Sequence, residues 1–159
     1  MNHCVGAEPT AGSQPAVRVE VSLNEGAPLP RYATSGSAGL DLTCVEDVEL
    51  APMERRRVNT GLRVAIPHGY EGQVRPRSGL ALKLGLAMVN SIGTIDSDYR
   101  GEIGVILINL GQENVSLPRG ERIAQMVICP VVQAEIVEVE QFQRETTRGE
   151  GGFGSTGTR

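Results

Sequence analysis

The last dozen residues of the chain combine groups that bind phosphate with one planar ring. Residues 148–157 hold five glycines, one arginine, one phenylalanine and a serine–threonine pair. Glycine lets backbone N–H groups converge on an anion, arginine pairs with two phosphate oxygens at once, and Phe153 offers a face for stacking. The pattern therefore indicates a nucleotide-binding segment, although the same composition is also typical of a disordered, solubilising tail.

A second cluster, at residues 75–79, reads Arg-Pro-Arg-Ser-Gly. It precedes residues 78–85, the one stretch with a helical pattern, in which Ser78 is the expected N-cap and Gly85 the expected C-terminal stop. Because N–H groups at a helix N-terminus attract anions, Arg77, the Ser78 hydroxyl and the Gly79 amide are candidates for a phosphate seat. The alternative is a plain helix cap flanked by solvated arginines.

The third cluster spans residues 90–101 and carries a carboxylate and an aromatic ring. Alternating residues run into Gly93, pass through turn residues, and run out again through residues 102–109, which predicts a hairpin with a wide mouth. Asp96 is expected near the tip of this hairpin, next to Tyr99. Asp96 is a candidate for chemistry, but aspartates in such loops are often simple turn formers that bond their own backbone.

The fourth cluster, residues 119–125, brings polar groups into an apolar strand. Arg122 and Gln125 stand beside apolar residues and need hydrogen-bonding partners. Asp41, within residues 37–42, supplies a matching anion. We therefore expect a structural Asp41–Arg122 pair whatever else the chain does.

Composition limits the class of protein. The chain has 159 residues, 40% of them hydrophobic, with two Phe, three Tyr and no Trp, so one domain with a core of Val, Ile, Leu and Ala is expected. The net charge of −4 argues against nucleic acid or an anionic membrane as partner. It leaves a small phosphorylated ligand open.

The cysteines and the N-terminus bear on location. Cys4, Cys44 and Cys129 are odd in number and widely spaced, which favours reduced thiols over a disulfide framework or a zinc site. The N-terminus lacks the layout of a signal peptide, and no apolar run approaches membrane-spanning length. A cytoplasmic protein is expected.

The chain divides into three segments. Residues 1–16 are predicted to be a disordered leader, residues 17–143 a β domain, and residues 144–159 a flexible arm. Short strands at close spacing predict an all-β sandwich or barrel, with strands at residues 17–23, 40–44, 57–66, 72–75, 87–91, 102–109, 114–117, 123–129 and 134–139. The last of these either closes the chain's own sheet or pairs with another subunit.

Taken together and in this order, the clusters resemble the homotrimeric deoxyuridine triphosphatases, or dUTPases. The five motifs of that family correspond to residues 38–42, 76–80, 90–101, 119–125 and 148–157. The resemblance covers residues 17–159, with no substitution at a position on which the family's chemistry depends, and only the leader departs from it. It implies a single-domain distorted β-barrel, jelly-roll-like, with one short helix and a flexible C-terminal arm.

The resemblance also implies an activity. Such enzymes hydrolyse dUTP to dUMP and pyrophosphate by attack of water on the α-phosphorus, with Mg²⁺, as homotrimers whose active sites are shared between chains. Asp96 would orient and deprotonate the water, and Ser78 would donate to the oxygen that bridges the α- and β-phosphorus. Arg77 and the Gly79 amide would hold the phosphates, and Gln125 would contact the α-phosphate region. Mg²⁺ would have no direct protein ligand, being held by the phosphates and by waters, with Asp41 as the candidate for a contact through water.

Nucleotide recognition follows from the same resemblance. Uracil would be read by main-chain groups around Gly93, Thr94, Ile95 and Gly104, with Asn90 nearby, and Tyr99 would pack against the deoxyribose. The arm would close as a lid in which Phe153 stacks on uracil, and its remaining substrate-binding residues are Arg148, Gly154, Ser155 and Thr156. It would be disordered when empty and folded over bound nucleotide.

Three other functions fit the sequence less well. A dCTP deaminase shares this fold but is disfavoured, because Asp96, Tyr99 and the glycine-rich tail match the hydrolase pattern. A nucleotide-sensing module without turnover has no need of a water-activating carboxylate. A structural β-trimer with a mobile tail leaves the five motifs unexplained.

Overall fold

The computed structural model describes residues 17–142, 146–153, 155 and 157. Within them the chain forms eleven β-strands and one short helix, which confirms the predicted all-β class. The elements, in chain order, are β1 (Glu20–Leu23), β2 (Leu40–Thr43), β3 (Val48–Leu50), β4 (Arg55–Asn59), β5 (Leu62–Ala65), β6 (Tyr70–Arg75), α1 (Ser78–Leu84), β7 (Leu86–Met88), β8 (Gly93–Ile95), β9 (Gly104–Asn109), β10 (Val115–Leu117) and β11 (Arg122–Pro130).

The strands pair antiparallel in four sheets. The largest has the order β2-β11-β6-β8, a second has the order β4-β9-β7, and two pairs join β1 to β5 and β3 to β10. The sheets do not close into a barrel, so the architecture is jelly-roll-like rather than a closed barrel. Strand β11 matters most for the site, because it lies between β2 and β6 and brings their side chains together.

The buried core is aliphatic, as the composition predicts. Alternate residues of the strands face it, and Val, Leu and Ile side chains dominate, with Met88, Met126 and Cys44 among them. The Cys44 thiol donates to the Pro118 carbonyl at 3.2 Å, and burial raises its pKa, which keeps the thiol protonated at neutral pH. Cys44 and Cys129 are both free, whereas Cys4 lies outside the described residues.

Two predicted strands differ from the observed ones. The strand expected at residues 57–66 is two strands, β4 and β5, because the chain turns at Gly61, whose φ of +66° suits glycine. A Cβ there would lie 2.6 Å from the Cβ of Ala27, so only glycine fits the turn. The short strands β3 and β8 were not predicted.

The hairpin expected in the third cluster is present, but its connection contains an additional strand. Its arms are β7 and β9, which pair antiparallel, whereas β8, which lies between them in sequence, pairs with β6 in another sheet. Gly72 allows the β8–β6 pairing, since a Cβ there would meet Ile66 at 2.9 Å and Ile95 at 3.3 Å. The loop between β8 and β9 therefore bridges two sheets rather than capping one.

The strand predicted at residues 134–139 is absent from the described structure. The segment follows β11 without strand pairing, and its side chains, including Ile136 at 88% exposure, face solvent. The apolar alternation that suggested a strand thus has no partner within this chain.

Helix α1 has the predicted length, just under two turns, but a different N-terminus. Its N-cap is Arg77 rather than Ser78, and no side chain caps it. Gly85 ends the helix as predicted, with a φ of 68° and its N–H directed at the Ala81 carbonyl.

No helix in the described part of the chain is long and apolar enough to cross a membrane. The predicted leader, residues 1–16, lies outside the described residues, as do residues 143–145, where the predicted boundary between domain and arm falls.

Candidate active site

The phosphate-seat candidates converge around strand β11. Gln125, in the middle of this strand, pairs in register with Asp41 of β2 on one side and with Arg75 of β6 on the other. Because β6 leads directly into Arg77 and helix α1, the pairing brings the first, second and fourth motifs to one end of the four-stranded sheet.

Two arginines flank the carboxylate of Asp41. Arg122 Nη1 lies 3.0 Å from Asp41 Oδ2, which forms the pair expected from the sequence, and Arg77 Nε lies 3.9 Å from Oδ1. Arg77 also donates from Nη1 to the Arg122 carbonyl at 2.7 Å. Since the Arg122 side chain is 50% exposed, the ion pair contributes about 1 kcal/mol or less to stability and mainly orients the arginines.

Gln125 is held by close neighbours. Its side-chain amide donates to the Pro76 carbonyl at 3.2 Å, and a Cβ on Gly39 would lie 2.8 Å from its Oε1. Gly39 therefore leaves room for the Gln125 side chain. By contrast, Ser78 and Gly79 are exposed in the first turn of α1, and a Cβ built at Gly79 would meet no described atom within 4 Å.

The hairpin candidates line a cavity of about 220 Å³ between the two larger sheets. Seven residues predicted from the sequence border it, namely Asn90, Gly93, Thr94, Ile95, Asp96, Tyr99 and Gly104. The side-chain amide of Asn90 packs against Gly93, where a Cβ would lie 3.0 Å from Asn90 Nδ2. A compact cavity lined by main chain at glycines is suited to reading the edge of a planar base.

Tyr99 and Asp96 stand at the wall of this cavity. The Tyr99 hydroxyl donates to the Glu102 carbonyl at 3.1 Å, and its backbone N–H donates to the Asp96 carbonyl at 3.1 Å. The tyrosine ring lies over Gly101, where a side chain would collide with it. The exposed Asp96 follows β8 directly and also borders a second cavity of about 640 Å³.

Sequence reasoning missed five residues that line the smaller cavity. Val74, Met88 and Ile103 are buried core residues whose edges reach it. Arg57 and Glu102 are polar, and Arg57 arrives from β4 through a sheet pairing that joins positions far apart in sequence. No local pattern marks Arg57, so only the register of β4 with β9 identifies it.

Within one chain, the Asp41–Arg122 pair is separate from the hairpin residues. Asp41 and Arg122 border a cavity of about 390 Å³ shared with residues 28–33, whereas Asp96 and Tyr99 border the 220 Å³ cavity. Among the described residues, the Asp41–Arg122 pair and the hairpin residues therefore line different cavities.

The described part of the glycine-rich tail bonds to itself. Arg148 Nε donates to the Gly151 carbonyl at 2.7 Å, and the Ser155 N–H donates to the Gly152 carbonyl at 3.0 Å. Phe153 is fully exposed, with a positive φ of 45°. Gly154 and Thr156 lie outside the described residues.

A metal site formed by side chains alone is not found in the described residues, because no three His, Cys, Asp or Glu side chains are grouped to hold an ion. Asp41 is the carboxylate nearest the phosphate-seat arginines, with Arg122 already on one of its oxygens. A carboxylate oxygen is a ligand type that Mg²⁺ accepts, and Asp41 supplies one beside these arginines.

The chain is similar in sequence to known proteins. The dUTPase family model matches residues 25–157. A deoxyuridine 5'-triphosphate nucleotidohydrolase of Anaeromyxobacter sp. (strain Fw109-5) is 64% identical over 129 residues, which cover 81% of this chain and 87% of that protein.

Two solved structures are similar as well. The dUTPase of Staphylococcus bacteriophage 80alpha with dUpNHpp is 31% identical, with a TM-score of 0.83 over 88% of this chain and 98% of that one. A variant dUTPase from phage phi11 of S. aureus, described for the coordination of a structural Mg(II) ion, is 27% identical, with a TM-score of 0.75 over 80% of this chain and 99% of that one.

Proposed function

The chain belongs to the dUTPase family, and we propose that it hydrolyses dUTP to dUMP and pyrophosphate by attack of water on the α-phosphorus. The observation that carries the proposal is the 220 Å³ cavity, where six residues predicted to bind the nucleotide line the wall together with Asp96. The activity limits the incorporation of uracil into DNA and supplies dUMP for thymidylate synthesis. The enzyme acts in the cytoplasm on a small molecule, with no nucleic-acid or membrane partner.

The base is read in the cavity by main-chain groups. Backbone N–H and C=O groups around Gly93, Thr94, Ile95 and Gly104 present a fixed pattern of donors and acceptors, with the Asn90 amide beside them. Uracil satisfies this pattern, whereas the amino group of cytosine leaves a buried polar group unpaired, which is heavily penalised. The cavity of about 220 Å³ also leaves little room for the methyl group of thymine.

The sugar is selected by Tyr99. Its hydroxyl is bonded to the Glu102 carbonyl, and its ring is confined over Gly101. A ring fixed in this way packs against the deoxyribose and leaves no room for a 2′-hydroxyl.

The triphosphate is bound by the residues around β11. Arg77 and the Gly79 amide hold phosphate oxygens, and the Gln125 amide contacts the α-phosphate region. The Ser78 hydroxyl donates to the oxygen between the α- and β-phosphorus, where negative charge grows as pyrophosphate leaves. Its exposed position in the first turn of α1 leaves it accessible to substrate.

Asp96 orients and deprotonates the attacking water. The exposed carboxylate of Asp96 can accept a hydrogen bond from water, but a carboxylate is a weak base. Most of the acceleration therefore comes from holding the water in line with the α-phosphorus and from stabilising charge on the phosphates.

Magnesium is the proposed cofactor, held by the phosphates of dUTP and by waters. Mg²⁺ retains its water ligands readily and is commonly bound through substrate phosphates with one or two carboxylates. Asp41 is the carboxylate placed to contact its water shell. The ion supplies charge neutralisation for the phosphates, while the residues named above position the substrate.

We propose a homotrimer with shared active sites. The first, second and fourth motifs come from one chain, the cavity from a second and the glycine-rich tail from a third. Two observations support this division: Asp41 and Arg122 border a different cavity of the chain from Asp96 and Tyr99, and the segment after β11 exposes apolar side chains such as Val132 and Ile136. The tail acts as a lid, with Phe153 on the uracil ring and Arg148, Gly154, Ser155 and Thr156 at the γ-phosphate.

Pyrophosphate release from four nucleotides tests the proposed function. With Mg²⁺ present, we expect dUTP to be hydrolysed with a kcat/KM about a hundredfold above that of dCTP, dTTP or UTP. Cytosine leaves a buried polar group unpaired, and the methyl group of thymine and the 2′-hydroxyl of UTP collide with the cavity wall. Chelation of Mg²⁺ should lower the rate on dUTP sharply. Ammonia release from dCTP would instead identify a deaminase, and binding of dUTP without turnover would identify a nucleotide sensor.

A further inference from the structure

Arg57 is a charged residue in the cavity wall to which the proposed function assigns no role. It lies on the exposed face of β4 and borders the cavity together with Tyr99, Glu102 and Gly104. Strand β4 pairs with β9 so that Asn59 stands opposite Gly104, which places Arg57 diagonally across from that glycine.

Gly104 makes room for the Arg57 guanidinium. A Cβ at Gly104 would lie 2.8 Å from Arg57 Cζ and 2.9 Å from Nη2, so any other residue there would displace the guanidinium from this position. The φ of Gly104 is not in the left-handed region, so the glycine provides space rather than special backbone angles. The guanidinium therefore lies against the main chain at Gly104, which is proposed to read uracil.

Arg57 and Tyr99 share one acceptor. Arg57 Nη2 donates to the Glu102 carbonyl at 3.3 Å, and the Tyr99 hydroxyl donates to the same oxygen at 3.1 Å. Arg57 Nη1 donates to Asn59 Oδ1 at 2.7 Å, which fixes the plane of the guanidinium. A continuous set of hydrogen bonds thus runs from β4 through the Glu102 carbonyl to the sugar-facing tyrosine.

We propose that Arg57 is a positioning residue that determines sugar specificity: it anchors the Glu102 carbonyl and thereby holds Tyr99 where a 2′-hydroxyl would collide. This inference rests on the proposed function, in which Tyr99 packs against deoxyribose. The Arg57 donor is charged, which strengthens the hydrogen bond that it adds to that of Tyr99 on the same oxygen.

The test compares Arg57→Met with a matched control, Arg55→Met. Arg55 lies two residues earlier on the same face of β4 and pairs with Ile108, away from the cavity. Both variants lose one exposed arginine. We expect Arg57→Met to narrow the preference for dUTP over UTP, measured as a ratio of kcat/KM, by about tenfold, the loss expected for a charge-assisted hydrogen bond.

The separate effects of Arg57→Met on KM and on kcat distinguish a positioning role from a direct role in the chemical step. In Arg57→Met, KM for dUTP should rise more than kcat falls, since Arg57 does not contact the phosphorus or the attacking water. Arg55→Met should keep both the preference and KM within about twofold of the parent, as surface substitutions usually do. Thermal unfolding of both variants establishes that the comparison is between folded proteins.

A double-mutant cycle then measures whether Arg57 and Tyr99 act through the shared Glu102 carbonyl. Tyr99→Phe keeps the ring and removes the hydroxyl that donates to Glu102. If both residues act through that oxygen, their effects on the dUTP-to-UTP preference are non-additive, and the double variant is little worse than Arg57→Met alone. Additive effects, or an unchanged preference in Arg57→Met, would overturn the proposal.

The parent enzyme separates this inference from the proposed function. If the parent does not release pyrophosphate from dUTP, the proposed function fails, and the inference fails with it. If the parent hydrolyses dUTP and discriminates against UTP while Arg57→Met discriminates equally well, only the inference fails.

Discussion

Asp96→Asn is expected to lower kcat on dUTP about a thousandfold, within the range attributed to a positioned general base, and to leave the dissociation constant for dUTP within about threefold. Asparagine keeps the shape of aspartate but cannot accept the proton of the attacking water. Because Asp96 is exposed, the substitution leaves the core intact. Single-turnover kinetics and equilibrium binding of dUTP measure the two effects separately.

Asp98→Asn is the matched control for that variant. Asp98 lies two residues later, is also exposed, and borders the larger cavity but not the 220 Å³ one. Its amide variant should turn over dUTP at nearly the parental rate. Turnover by Asp96→Asn at a rate similar to that of the control would remove Asp96 from the role of base.

Deletion of residues 148–159 should lower turnover of dUTP about a hundredfold, as expected when catalytic groups are no longer brought into place, with a shift in Tm of no more than about 2 °C. The buried core residues of the described chain all precede residue 127, and the tail's described hydrogen bonds run within the tail. Initial rates and thermal unfolding of the same preparation give both quantities. A collapse of Tm would make the tail a structural element rather than a lid.

The deletion also tests the sharing of sites between chains. The deletion variant and Asp96→Asn are each expected to keep only a small fraction of parental turnover, and co-expression of the two would give mixed assemblies of the proposed trimer. If cavity and tail come from different chains, about a quarter of the sites in a one-to-one mixture combine an intact Asp96 with an intact tail. Mixed trimers no more active than either parent variant would place cavity and tail on one chain.

The strand pattern was predictable where alternation extends over several residues. The predicted strands at residues 40–44, 102–109 and 123–129 correspond to β2, β9 and β11, since each alternates between buried and more exposed positions for most of its length. Strand β3 has only three residues and pairs with β10, so its stability comes from a distant partner rather than from its own sequence. Strand β8 also has only three residues and pairs with β6, so the same physical reason explains why the sequence did not predict it.

Some residues of the candidate site could be predicted from the sequence, and others could not. Residues within one short motif, such as Gly93 and Asp96, could be located because their spacing along the chain fixes their spacing in space. The Asp41–Arg122 pair joins two motifs and was expected from charge alone, and the structure contains it at 3.0 Å. Arg57 could not be expected, because its place in the cavity depends on the register between β4 and β9.

Residues 134–139 show that a strand-like sequence does not form a strand unless another strand pairs with it. Their alternation of Ile136 with glutamates predicts a strand, yet they remain unpaired and exposed in this chain. The sequence pattern indicates that a segment has apolar side chains, but it does not identify the surface that buries them. The proposed trimer is one arrangement that would cover this face.

Hydrolysis of dUTP in water enriched in ¹⁸O tests the central claim most directly, because the labelled product identifies the phosphorus that water attacks. The account predicts one ¹⁸O atom in dUMP and none in pyrophosphate, as mass spectrometry of the products after a single turnover would record. Label in pyrophosphate, or release of inorganic phosphate in place of pyrophosphate, would contradict attack at the α-phosphorus.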